Sequence, residues 1–389
     1  MTTQTTGATT VPRDDAAPDR PDLRHVLQQA VDEGFTGIQL RVNDDRGEWV
    51  GSAGASTLDR PDVAPPTDGY IRIGSNTKTF VAATVLQLVA EGAVALDTPA
   101  VEYLADLPVD PRVTVRMLLQ HTSGIFNFTG EIYGPEADVD DGVPWNGATM
   151  VPGIPWQGQE WVDSRFRHFT THDLARLALS KPARFEPGTD WSYSNTNYAL
   201  ARLVVENVSG STLAEEMHRL VLDPLGLTQT SVPSTTTLPE PHAHAYYRYE
   251  LDGQVTTVDV TEQDPSWISS GGDMVSTTRD LHLFISGLTG GRLLPPPLLA
   301  EMLTPLAPAG YGLGVFVQET GRGTVITHNG GIAGHGALMY STPDGTTTLT
   351  AGLSYVDDAS LSLAGTFQTV NGRLVELVFG AEESVPSAG

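Results

Sequence analysis

Segments that read as β-strands stand at both ends of this chain, separated by a long stretch of mostly helix and loop signals. Near the start, Thr36–Val42 and Gly47–Ala53 are strand-like runs around the hairpin-type turn Asn43-Asp44-Asp45-Arg46. Near the end, Gly312–Gln318, Gly323–Thr327, Gly336–Tyr340 and Thr346–Ser354 read the same way. Each end also signals a helix. Leu23, Val26, Leu27, Ala30 and Val31 recur at helical spacing until Gly34, and Leu363, Phe367, Val370, Leu374 and Leu377 form one apolar stripe. The implied fold class is α+β: one antiparallel sheet built from both termini, flanked by terminal helices, with a mostly helical domain inserted and packed alongside. Residues 22–70 and 306–380 are expected to form the sheet part of one unit and 71–305 its helical part. Residues 1–21 read as a disordered lead and 381–389 as a tail.

Composition narrows the partners. Forty-seven acidic residues against 22 basic ones leave a net charge of −25, which argues against nucleic acid or an anionic membrane surface. There is no cysteine, so disulfides, thiolate chemistry and Cys-ligated metal are excluded. No apolar run approaches the roughly 20 residues that span a bilayer. The stretch Met1–Asp22 is rich in Thr, Asp and Pro and has neither the basic nor the apolar region of a signal peptide, so the chain as given is expected in the cytoplasm.

Lysine occurs only at Lys78 and Lys181; arginine supplies the remaining positive charge. The difference matters because a buried Lys can lose its proton and an Arg cannot. Lys78 follows Ser75 by three positions, in Ser75-Asn76-Thr77-Lys78. The next residues, Phe80 to Ala90, are almost wholly apolar and read as a buried helix. Spacing by three puts the hydroxyl and the amine on one helical face, a nucleophile beside its base; the plain alternative is a serine N-cap and an unrelated lysine.

Two further short motifs follow in order. Tyr193-Ser194-Asn195 lies in a loop after Pro187-Gly188, and His328-Asn329-Gly330 ends the expected strand Val325–Thr327. Each is common alone; the set, placed on a helix start, a loop and a strand end, is specific. With Leu119-Gln120-His121-Thr122-Ser123-Gly124, Ser270-Gly271-Gly272-Asp273-Met274-Val275-Ser276-Thr277 and Tyr311-Gly312-Leu313-Gly314, the chain resembles the serine β-lactamase and penicillin-binding protein superfamily. The likeness is to its class C β-lactamase and D-Ala-D-Ala carboxypeptidase branch and runs from about residue 23 to 380.

That resemblance implies a β-lactamase/transpeptidase-like fold and a role for each position. Ser75 attacks a carbonyl and forms an acyl-enzyme. Lys78, Tyr193 or both take its proton, each needing a lowered pKa, and Tyr193 passes the proton to the leaving group. His328 supports Tyr193, and Asn195 holds the substrate amide. The backbone N–H groups of Ser75 and Gly331 form the oxyanion hole, and Gly330 and Gly331 let a peptide-like substrate lie along the strand edge. Asn329 is the middle residue of the third motif. No metal or cofactor is implied.

The match departs where the branch grips a substrate carboxylate. Gly314-Val315-Phe316-Val317-Gln318 holds no cation, and Asn329 and Gly331 supply no hydroxyl. Arg322, in the intervening turn, is the one candidate substitute. The expected activity is therefore an active-site serine hydrolase on peptide amides or esters. The expected partner is a small-molecule or peptide-like substrate, free or as a carrier-bound acyl peptide, with β-lactams as covalent inhibitors. Alternatives are a cytoplasmic transacylase or a penicillin-binding-protein-type macrocyclising thioesterase, and, in another class, a non-catalytic β-lactam-binding sensor.

Other residues read more plainly. His168 and His172, four apart, belong to a helix start rather than a metal site, and His242 and His244 lack a third partner. His121 is expected to be structural; His335, close to the His328 strand end, could line the cleft but is more simply read as structural too. The stretch 127–167 is loop-rich, with Trp145, Trp156 and Trp161 in it and Trp191 beyond; these side chains either form a substrate-contacting lid or pack ordinarily. No G-x-S-x-G is present, which disfavours the α/β-hydrolase route to a serine nucleophile.

Overall fold

In the computed structural model, residues 19–134, 139, 142–145 and 147–380 are described. Most of the expected lead and the whole tail fall outside them.

The two strand groups meet in one sheet. From the N-terminal end come β1 (Gly37–Asp44) and β2 (Gly47–Gly54). From the C-terminal end come β3 (Phe316–Thr320), β4 (Gly323–Thr327), β5 (Gly330–Ile332), β6 (His335–Ser341) and β7 (Thr348–Ser354). The order is β3-β4-β6-β7-β1-β2, with β5 paired to β6 off this path. All pairings are antiparallel, and β1 joins β7 with Gly37 opposite Ser354. This seam joins chain ends more than 300 residues apart in sequence.

Helices α1 (Pro21–Asp32) and, at the C-terminal end, Ala364–Phe379 cover one face. Leu23, Leu27 and Ala30 of α1, Val370 and Leu374 of the C-terminal helix, and Ile38, Leu40, Leu349 and Leu353 of the sheet share one core. Four of the five residues of the expected stripe pack on this core, Phe367 and Leu377 only in part; Leu363 caps the helix, and Val375, Val378 and Phe379 are buried in addition.

A second, larger core lies against the opposite side of the sheet. Its centre is α2 (Thr77–Ala90), buried from Thr77 to Leu86 and again at Leu88. A helix apolar on every side has no face for water, so it can persist only when surrounded. Phe80 stacks on Phe284 with ring centroids 3.5 Å apart, and α3 (Asn195–Ser209) buries Tyr198, Leu200 and Val204 beside it. Each such side chain contributes about 1.5–3 kcal/mol through the area it removes from water.

Two expectations change. The strand expected over 312–318 begins only at Phe316, because Gly314 adopts φ +81° and sits against α2, where a Cβ would lie 2.5 Å from that of Ala82. The stretch 127–167 holds three short strands (Glu131–Tyr133, Val143–Trp145 and Ala148–Val151) and a helix, Gly158–Ser164. Trp161 is not part of a lid: it is buried between Tyr247 and Trp267. Among the described residues, no helix is long and apolar enough to cross a membrane.

Candidate active site

Ser75 sits in a single 3-10 turn, Gly74–Asn76, that runs straight into α2. The turn is pinned to the sheet by Asn76, whose buried amide donates to the carbonyls of Ile73 (3.0 Å) and Ala337 (3.3 Å). Glycine is required on both sides of the approach. Gly74 has φ +51°, and a Cβ there would lie 2.7 Å from the Gly331 nitrogen. A Cβ on Gly330 would lie 2.0 Å from the Ile73 carbonyl oxygen. The backbones of Ser75 and Gly331 are thereby brought side by side at the edge of β5. Gly331 itself is exposed, and a Cβ on it would meet nothing closer than 3.8 Å.

One turn into α2, Lys78 is fully buried. Its Nζ lies 2.6 Å from the Gly271 carbonyl, 2.8 Å from Asn195 Oδ1 and 3.1 Å from Ser75 Oγ. Burial drives its pKa well below the usual lysine value, and Asp273 opposes this only in part. Two of the three partners are carbonyl oxygens and can only accept. A neutral amine has two N–H groups for them and one lone pair left, which faces the serine hydroxyl. An ammonium could donate to all three oxygens, so it is burial, not the contact set, that favours the neutral amine.

Tyr193 closes the other side, with its ring 4.5 Å from Lys78 Nζ. The lowered phenol pKa expected of it is not found: burial pushes it up, and proximity to Ser75 offsets this only in part. A phenol taken out of water with no fixed cation beside it has nothing to stabilise its anion. Tyr193 is thus held as a neutral phenol.

His328 ends β4, buried, and burial holds its pKa down to about 3. Its Nδ1 donates to the Asn329 carbonyl (2.9 Å), which leaves Nε2 to accept from the Tyr311 hydroxyl at 3.2 Å. Its direct neighbour is thus Tyr311, while the Tyr193 ring centroid is 6.3 Å away. Asn195 is engaged twice, through Oδ1 to Lys78 and through Nδ2 to Thr129 Oγ1 at 3.2 Å. Asn329 points to the other side of the strand, where its amide donates to Tyr340 Oη at 2.7 Å.

Ser75, Lys78, Tyr193, Asn195, His328, Gly330 and Gly331 therefore gather at one place. Sequence reasoning passed over Tyr311 and the Gly271 carbonyl; both lie in segments quoted above without a role, Tyr311-Gly312-Leu313-Gly314 and Ser270–Thr277. Arg322 is not at the site. It sits at the far tip of the β3–β4 hairpin against Gly380, about 20 Å along the strand from His328. His335 is wholly buried, and neither ring nitrogen has a hydrogen-bond partner. His168 meets Asp264 and His172 meets Asp106, so the two do not converge. Among the described residues no group of three or more His, Asp or Glu is arranged to hold a metal.

The Beta-lactamase family model matches residues 23–360. The chain belongs to the Beta-lactamase family. It is 26% identical over 287 residues to the putative penicillin-binding protein PbpX of Bacillus subtilis (strain 168), covering 73% of this chain and 62% of that protein. It is 30% identical over 250 residues to the esterase EstB of Burkholderia gladioli, covering 62% of this chain and 57% of that one. The chain spans about three fifths of the length of these curated relatives. Among solved structures, a D-stereospecific amidohydrolase from Streptomyces sp. superposes with a TM-score of 0.76 at 33% identity, over 93% of this chain and 99% of that one. These relatives are named as a penicillin-binding protein, an esterase and an amidohydrolase.

Proposed function

We propose that the protein hydrolyses amides or esters through an acyl-enzyme on Ser75, with amides of D-amino acids or short D-peptides as the substrate class. The observation that carries this reading is the Lys78 amine, buried without a carboxylate partner, satisfied by two carbonyls and facing Ser75 Oγ at 3.1 Å.

Ser75 Oγ bonds to the substrate carbonyl carbon as its proton passes to Lys78 Nζ. The carbonyl oxygen becomes an oxyanion between the N–H groups of Ser75 and Gly331. Tyr193 then gives its proton to the leaving nitrogen or oxygen and regains one from the Lys78 ammonium, so the C–N or C–O bond breaks and the acyl-enzyme remains. Water reverses the sequence: its proton goes to the base, the acyl–Oγ bond breaks, and Ser75 recovers its hydrogen. His328 contributes as a neutral ring that holds Tyr311, not as a charge.

The preference for D-amides is taken from the amidohydrolase that the chain matches nearly end to end. It agrees with the absence of a carboxylate grip. A cavity of about 290 Å³ lined by Gly330 and Gly331 carries Asp357 and, among the described residues, no Lys, Arg or His. A neutral amine at the nucleophile also argues for turnover over a binding-only sensor, which has no use for a base.

A fluorophosphonate probe tests the central step. Its mass should appear on Ser75 and be absent in Ser75→Ala, and D-phenylalanine amide should be hydrolysed faster than its L-enantiomer. Labelling that persists in Ser75→Ala would sink the acyl-enzyme; equal rates for the two enantiomers would remove the D-preference alone.

A further inference from the structure

His121 is fully buried, ends the helix Val115–Gln120 and adopts the left-handed conformation, φ +62°. That position ordinarily suits glycine or asparagine, so a histidine there needs a reason in its side chain. Its contacts supply one. The His121 carbonyl accepts from the Ser192 N–H at 3.0 Å, and its ring Nδ1 accepts from the Ser194 N–H at 3.2 Å. These two bonds hold the residues on either side of Tyr193, and the His121 ring lies against the Tyr193 ring with centroids 4.4 Å apart.

The ring's tautomer is held as well. Ser123 Oγ donates to Asn197 Oδ1 at 2.6 Å, so the Asn197 amide turns its Nδ2 to His121 Nδ1 at 3.1 Å. With two donors aimed at it, Nδ1 carries no hydrogen, and the ring proton is on Nε2. Nε2 has no hydrogen-bond partner and sits among the rings of Trp191, Tyr193, Tyr198 and Tyr311. A buried donor left unpaired is the cost of presenting Nδ1 as an acceptor to the Tyr193 loop.

We propose that His121 is a positioning residue that holds Tyr193 in register with Ser75 and Lys78, through paired acceptors on residues 192 and 194 and through ring contact. This rests on the reading of Tyr193 as the proton relay. Losing the grip lets the phenol wander, and a displacement of about 1 Å at a reacting group costs on the order of 10²-fold in rate.

The test is a double-mutant cycle on the rate of Ser75 labelling by a fluorophosphonate and on kcat and KM for an amide substrate. His121→Gly removes the acceptor ring while relieving the backbone. It should lower kcat for the amide about 10²-fold with KM nearly unchanged, while labelling, whose fluoride leaving group needs no proton from Tyr193, stays within about 3-fold. On a Tyr193→Phe background the same change should cost less than about 3-fold, because there is no phenol left to position. His121→Asn tolerates the left-handed backbone and places Oδ1 near the position of Nδ1. It should fold and retain activity within about 3-fold, independently of how the glycine variant behaves. An equal loss in both backgrounds, or an Asn variant that is inactive or unfolded, overturns the positioning role. If Tyr193→Phe alone hydrolyses the amide like the parent, the relay reading itself fails, and the role of His121 with it.

Discussion

Replacing Lys78 by methionine separates its two jobs, proton acceptor and packed side chain. Methionine has nearly the same length and can be buried without charge, but has no lone pair basic enough to take the Ser75 proton. General-base help contributes about 10²–10⁴-fold, or roughly 2.7–5.5 kcal/mol of barrier. Acylation in Lys78→Met should fall by that amount. The structural cost is read separately, from unfolding. Asn195 Oδ1 and the Gly271 carbonyl lose a donor each, at about 1–3 kcal/mol for a buried group left unsatisfied, and an apolar side chain in this dry position offsets part of that. Stability should therefore drop by less than the roughly 2–6 kcal/mol of the two losses together. The pH dependence identifies the amine as neutral. Its folded pKa lies well below 10.5, so the unfolded chain binds the extra proton. The lysine's contribution to stability then rises with pH from the lowered folded value up to about 10.4, and the Met variant should lack that rise. Lys78→Arg is the matched control, since it keeps a cation that cannot deprotonate. The assay is the time course of fluorophosphonate addition followed by intact mass, with urea unfolding at several pH values. A folded Met or Arg variant that acylates within about 3-fold of the parent would refute Lys78 as the base.

Two other outcomes follow from charges near the cleft. Asp273 is buried with its Oδ1 unpaired, and burial pushes its pKa up to about 6. Its stabilising contribution is thus present below pH 4 and lost as pH rises through 6. The span of about two units corresponds to on the order of 3 kcal/mol, so Asp273→Asn should flatten the loss seen in urea melts between pH 4 and 7.5; an unchanged slope would contradict it. Peptides ending in a free carboxylate should show no advantage in kcat/KM over the matched amides or esters, because Arg322 is remote and the cavity beside Gly330 and Gly331 carries Asp357 and no cation. One lost charge-assisted hydrogen bond is worth about 10–100-fold in selectivity; a clear preference for the acid would reveal a carboxylate grip elsewhere.

What the sequence determined by itself was whatever short-range periodicity can carry. Ser75 and Lys78 share a helical face because three residues make most of a turn, and α2 had to be buried because no side of it is polar. The strands around Gly37–Gly54 and after Phe316 were legible from alternation and turn residues. Their joining in one sheet followed from the middle of the chain reading mainly as helix. The C-terminal stripe was legible too, from Phe367 to Leu377, while the added burial of Val375, Val378 and Phe379 came from packing against the sheet.

What only the tertiary structure decided lies in contacts between distant segments. Whether Lys78 is a base depends on Asn195 and Gly271, 117 and 193 residues away, and on burial that no local pattern encodes. The expected lowering of the Tyr193 pKa required a fixed charge beside the phenol, and the folded surroundings supply desolvation instead. Trp161 sat in a polar stretch and became core, and Arg322 was near His328 in sequence but far along an extended hairpin. His121 looked structural from its motif; only the folded chain brings its ring and carbonyl to both neighbours of Tyr193. A strand or helix repeats its rule every two or four residues, whereas a catalytic distance is set once, by which surfaces pack, and leaves no period to read.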